Sequence, residues 1–121
     1  MARARVAVLI SGRGSNLQSL LDAAADPAWP ADIALVVSNR PDAAGLERAR
    51  NAGVAARVID HRQHGKGEEG RRSFDATLDA ALREANIEFV CLAGFMRLLT
   101  PAFVERWRGR MLNIHPSLLP A

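Results

Sequence analysis

The chain has 121 residues, 49% of them hydrophobic, which fits one ordinary globular domain with a real core. Sixteen basic against thirteen acidic residues leave a charge of +3, and aromatics make up only 5%. The basic excess is mostly arginine scattered along the chain, without a concentrated face or aromatics to stack on bases, so nucleic-acid binding is not expected.

In chain order, Val6 to Ile10 is apolar throughout, as a strand buried on both faces should be. At five residues it is too short for a signal-peptide core, and no run approaches the roughly 20 apolar residues that span a bilayer. A cytoplasmic protein with no membrane partner is the expectation. A glycine turn follows, then a helix with Leu17, Leu20, Leu21 and Ala24 on one stripe. Ile33 to Val37 reads as the second strand, with Ser38 to Asp42 as its exit loop. Ala43 to Ala52 reads as a helix closed by Gly53, and Val54 to Ile59 as a weaker third strand. The polar, glycine-rich stretch His61 to Gly70 has no periodicity and reads as a mobile loop with both histidines exposed.

Arg71 to Ala85 is helical, with Phe74, Leu78, Ala81 and Leu82 inward. Phe89 to Ala93 is the fourth strand, and Cys91 inside it reads as a buried, inert thiol; a lone cysteine excludes a disulfide framework. Thr100-Pro101 is a helix start, cap then proline, for a short helix reaching about Trp107. Met111 to Ile114 is the fifth strand. The alternation predicts an α/β fold: a Rossmann-like open, mostly parallel sheet with helices on both faces. Ligands of such sheets bind beyond the carboxyl ends of the strands. Ser11 to Asn16, Gly94 to Leu99 and Asn113 to Pro120 all leave such ends.

Each of these exits carries its own chemistry. Glycines in Ser11-Gly12-Arg13-Gly14-Ser15-Asn16 let backbone approach a ligand, and amides at the following helix start favour an anion. The dinucleotide fingerprint fails, because Leu17 stands at its third glycine and Ser38-Asn39 end the second strand without an acid. A single phosphate on Gly14, Ser15 and Asn16 is the natural guest; the plain alternative is a tight turn with Ser or Asn as helix cap. Gly94-Phe95-Met96-Arg97-Leu98-Leu99 sets apolar residues around one arginine, which suits a flat heteroaromatic ligand. Arg71, read as opening its helix, would place a cation against the dipole, a mild cost that a bound anion would relieve. Asn113 and His115 stand two apart in an extended segment and so face one side, until Pro116 ends the pairing. An amide donor and a group titrating near neutrality suit acyl transfer. No set of His, Cys, Asp or Glu has convincing metal spacing, so no metal is expected.

Three runs together resemble the phosphoribosylglycinamide formyltransferases, the folate-dependent enzymes of purine synthesis. They are Ile10 to Leu17, Leu92-Ala93-Gly94-Phe95-Met96-Arg97, and Leu112-Asn113-Ile114-His115-Pro116-Ser117-Leu118-Leu119-Pro120. The Asn-x-His-Pro segment is common to the wider formyltransferase group, and the Gly-x-Gly-Ser-Asn loop points to this member. The resemblance implies transfer of a formyl group from 10-formyltetrahydrofolate, as co-substrate, to the amine of glycinamide ribonucleotide. It implies that Gly14, Ser15 and Asn16 hold the substrate phosphate. Arg71, Met96, Arg97, Leu98, Leu99 and Asn113 would then hold the folate. Asn113 would also polarise the formyl oxygen, and His115 would move the proton. The alternatives are formyltetrahydrofolate deformylase, another formyltransferase, or a non-catalytic nucleotide-binding module; a homodimer stays open.

The resemblance further implies an aspartate downstream of the His-Pro segment that orients the histidine, and none follows His115 before Ala121. Residues 1–121 therefore read as the family's N-terminal α/β domain, ending before its final strands. The expectation is that this polypeptide alone transfers formyl groups slowly or not at all. A formyl-transfer assay giving rates near those of a full-length enzyme would refute it.

Overall fold

A computed structural model describes residues 3–114 of the chain. Five strands run β1 (Ala4–Ile10), β2 (Ala31–Ser38), β3 (Ala55–Val58), β4 (Phe89–Leu92) and β5 (Met111–Asn113). Four α-helices alternate with them: α1 (Ser15–Ala24), α2 (Gly45–Asn51), α3 (Gly67–Glu84) and α4 (Pro101–Arg106). The sheet order is β3-β2-β1-β4-β5, and every adjacent pair is parallel. The chain builds outward from β1 to β3, then returns to β1's other side for β4 and β5. That reversal is the crevice-forming switch point of open α/β sheets.

The apolar run of β1 explains why it takes the centre. Alternate residues serve two cores: Ala7 and Leu9 pack under Phe74, Leu78, Leu82, Phe103 and Trp107, while Val6, Val8 and Ile10 pack under Leu17, Leu20 and Leu21. The first core lies against α3 and α4, the second against α1 and α2. The register of β1 on β2 shifts between Val6 and Ala7, so Ile33 belongs to the second core and Leu35 to the first. Over β4 and β5 the second face lacks a covering helix among the described residues. There Phe89 and Leu112 stay exposed beside Cys91 and Ile114, lining an apolar cavity of about 410 Å³. Burial pushes the Cys91 thiol up from its ordinary pKa, which keeps it protonated and inert.

The stretch His61 to Gly70 departs from the expected mobile loop. His61–His64 is a 3₁₀ turn capped by the Asp60 carboxylate, which accepts from the Arg62 amide. α3 begins at Gly67, four residues before Arg71. Two features make a helix of this glycine-rich sequence. Glu68 and Glu69 fall in its first turn, where the dipole favours acids. Gly70 packs so closely on the Gly65 carbonyl that any side chain would collide. Neither histidine is fully exposed: His61 Nδ1 lies 3.0 Å from the Asn39 carbonyl, and His64 Nδ1 lies 2.8 Å from Ser73 Oγ. The start of α4 is as expected, with Pro101 at its first position and the Thr100 hydroxyl accepting from the Phe103 amide at 3.3 Å.

Phe74 is completely buried and touches the rings of His64 and Phe95 and the Arg97 guanidinium. Phe74→Ala should therefore destabilise the domain by about 3–5 kcal/mol, checked by urea unfolding.

Candidate active site at the strand exits

The turn leaving β1 is shaped by close backbone contact. Gly14 is the N-cap of α1, at φ +78°, and no side chain caps the helix. Ser15 is the first helical residue, so the alternative of a serine or asparagine cap does not hold. The first intrahelical bond runs from the Gln18 amide to the Gly14 carbonyl at 2.8 Å, leaving the amides before it without helical partners. No acid lies in this first turn, so positive backbone potential faces the rim. From behind, α2 pins the turn. The Gly45 amide donates to the Gly12 carbonyl at 3.0 Å, and Arg48 Nε donates to the Arg13 carbonyl at 2.8 Å.

The segment leaving β4 projects Met96 and Leu98, which are 82% and 74% exposed. With Leu92, Phe95, Arg97, Leu99, Val104 and Met111 they line a mainly apolar groove of about 540 Å³. Arg97 lies with its guanidinium 4.4 Å from the Phe74 ring centroid, and Phe95 stacks on that ring at 6.4 Å. Burial lowers the Arg97 pKa from its ordinary value; the Asp75 carboxylate opposes that shift and Arg71 adds to it. Arg71 is thus near enough to Arg97 to be felt electrostatically. It is exposed and sits one turn inside α3, not at its start as the sequence suggested.

Asn113 ends β5 opposite Leu92, and the neighbouring Ile114 amide bonds the Leu92 carbonyl at 2.8 Å. Met111 and Asn113 stand two apart on the strand. Asn113 therefore shares the face of Met111, the face that borders the groove. His115 and the following Pro-Ser-Leu-Leu-Pro lie outside the described residues.

Sequence reading missed the buried polar residues that join these exits. Ser11, 4% exposed, donates to Asn39 Oδ1 at 2.6 Å and accepts from the Met96 amide at 2.7 Å. One hydroxyl thus links the ends of β1, β2 and β4. Asn39 extends the link toward β3 through the His61 ring. Asp75, 5% exposed, accepts from the Thr100 amide at 2.6 Å. Ser11 and Asn39 lie just past strand ends and Asp75 inside α3, and no local pattern in the sequence marks them as buried.

The strand exits of this open parallel sheet thus carry a glycine turn, an apolar groove and Asn113 along one rim, which makes the chain an α/β protein of the switch-point class. The chain belongs to the formyl transferase family, whose sequence profile matches residues 4–121. It is 52% identical over 119 residues to the trifunctional purine biosynthetic protein adenosine-3 of Homo sapiens, across 98% of this chain and 11% of that protein. It is 46% identical over 115 residues to the phosphoribosylglycinamide formyltransferase of Escherichia coli, across 95% of this chain and 52% of that one. Among solved structures, phosphoribosylglycinamide formyltransferase from Brucella melitensis matches with a TM-score of 0.89 at 41% identity, over 98% of this chain and 60% of that chain. The chain spans about half the length of the single-function relatives it matches.

The two glycines of the turn are not equivalent. A Cβ on Gly14 would lie 2.7 Å from Gly45 Cα in a backbone region that disfavours side chains, whereas one on Gly12 would meet nothing within 4 Å. Gly14→Ala should cost about 1–3 kcal/mol, and Gly12→Ala less than about 0.5 kcal/mol, by thermal or urea unfolding of each.

Proposed function

We propose that the protein transfers a formyl group from 10-formyltetrahydrofolate to the amine of glycinamide ribonucleotide, in the purine synthesis that its relatives' names describe. The observation that carries this reading is that three features share one rim: an anion-ready helix start, an apolar groove joined to the β1 exit through Ser11, and Asn113 at the end of β5. Identity of 46% over 115 residues to a protein named phosphoribosylglycinamide formyltransferase supports it.

The roles follow from the chemistry each group can do. Gly14, Ser15 and Asn16 hold the ribonucleotide phosphate, through backbone amides at the α1 start and the Ser15 hydroxyl. Met96, Leu98 and Leu99 give the flat folate ring an apolar bed, with Arg97 and Arg71 supplying positive charge for its acidic end. The substrate amine attacks the formyl carbon and a C–N bond forms. Charge gathers on the formyl oxygen, where the Asn113 side-chain amide donates. The tetrahedral intermediate then breaks its bond to the folate nitrogen. The proton lost by the attacking amine is returned to that nitrogen, and His115 is the group suited to carry it. The reaction needs neither a metal nor a covalent enzyme intermediate. A cytoplasmic setting suits these soluble substrates, and no helix of the described residues is long and apolar enough to cross a membrane.

In the complete product of its gene, Asn113→Ala should lower kcat by about 10²–10³ while the KM for glycinamide ribonucleotide changes little. Steady-state formyl-transfer kinetics measure both. Calorimetric titration with glycinamide ribonucleotide against NAD separates the assignment from a plain nucleotide-binding module, and preferential binding of NAD would overturn it.

A further inference from the structure

The segment between β4 and α4 is held in an unusual way. Ala93 makes the last sheet bond, its amide donating to the Leu9 carbonyl at 2.9 Å. From Gly94 to Leu99, no backbone group enters a backbone–backbone hydrogen bond among the described residues. Two buried side chains supply the anchors. Ser11 Oγ accepts from the Met96 amide at 2.7 Å, and Asp75 Oδ2 accepts from the Thr100 amide at 2.6 Å. They come from opposite sides, one from the end of β1 and one from α3. Between them Met96 and Leu98 project outward, and Arg97 lies on Phe74 with its Nε unpaired and buried.

A segment carrying Met96, Leu98 and Leu99 without backbone–backbone bonds would ordinarily turn these large side chains away from water. Held at both ends, it presents them. Asp75 has a second effect. Its other oxygen, Oδ1, is buried without a partner, and its charge favours the cationic form of Arg97. An unpaired oxygen of a buried carboxylate is costly unless a nearby cation offsets it.

We propose that Ser11 and Asp75 are positioning residues for the formyl donor. They fix the two ends of the Met96–Leu99 lining, so that the folate meets a preformed surface and need not order one. This rests on the assignment of that lining to the folate. Neither residue needs to touch substrate.

Two measurements test it. Steady-state kinetics on the complete gene product should show the KM for 10-formyltetrahydrofolate rising about tenfold in Ser11→Ala and in Asp75→Ala, as expected for one lost hydrogen bond. The KM for glycinamide ribonucleotide should stay within about twofold in Asp75→Ala, because Asp75 bonds Thr100 and not the glycine turn. Ser11→Thr and Asp75→Asn keep an acceptor and should restore most of the folate affinity. Unchanged folate KM in both alanine variants would overturn the proposal, as would a parallel loss of both substrates that tracks melting temperature. Amide hydrogen exchange on the same complete gene product supplies a readout independent of activity. The Met96 and Thr100 amides should be protected, with Ser11→Ala releasing Met96 selectively. Absence of that protection sinks the clamp whatever the kinetics show. Protection without folate binding by the wild-type product would instead defeat the assignment of the lining. Should Asp75→Ala fail to fold, Ser11→Ala and Asp75→Asn still decide the matter.

Discussion

A buried hydroxyl that both donates and accepts has little freedom, and Ser11 is such a group. Its donation to Asn39 and its acceptance from Met96 set the relative positions of three strand exits that the sheet alone would leave loose. Parallel strands fix their neighbours only as far as the ladder runs. Beyond Ile10, Ser38 and Leu92 the chain leaves the sheet, and each exit loop must find its own partners. Ser11 supplies them at a point where backbone bonds are few. The arrangement of these exits therefore depends on one buried side chain.

The sheet order explains why this junction matters. With β1 central and the chain folding outward on both of its sides, the glycine turn sits between the exits of β2 and β4. The groove and the Asn113 end of β5 lie on one flank; α2, which pins the turn through Gly45, lies on the other. An anion at the α1 start and a flat ligand in the groove would be neighbours for topological reasons. The side chains then refine a proximity that the fold already provides.

Much of this was legible in the chain because buried parallel strands are written plainly. Val6 to Ile10 and Phe89 to Ala93 are apolar without interruption, so their exits, and with them the glycine turn and the Met96–Leu99 segment, could be located. Thr100-Pro101 marked α4 by local chemistry alone. The start of α3 was obscured because glycines in Gly65 to Gly70 look like a loop. What makes part of that stretch helical is a packing contact between Gly70 and Gly65 that composition does not reveal. Ser11, Asn39 and Asp75 were illegible for a related reason. Their partners lie 28, 85 and 25 residues away, and nothing local separates a buried bridging serine from an exposed one. The glycine turn itself was legible, but its cap was not. Gly14 takes the cap position because its positive φ and its contact with Gly45 leave no room for a side chain there.

Electrostatics completes the argument for an anionic guest. A rim that binds phosphate through neutral backbone amides gains little if acidic side chains around it stay free. Here the nearby acids are committed elsewhere. Asp42 is paired with Arg40 at 3.3 Å and Asp60 with Arg62 at 2.8 Å. Hydrogen bonds from Arg62 hold the Asp60 carboxyl at about 2, well below the ordinary range. Asp75 is buried beneath Arg97 and turned toward Thr100. The second strand ends in buried, neutral Ser38 and Asn39, where a dinucleotide site would carry an acid. Positive backbone potential at α1 is thus left largely unopposed at the β1 exit, while the Arg97 guanidinium is partly balanced by Asp75. This balance supports the proposal of a single phosphate at the glycine turn. The exits of this sheet are therefore tuned as much by where the carboxylates are tied down as by where the arginines stand.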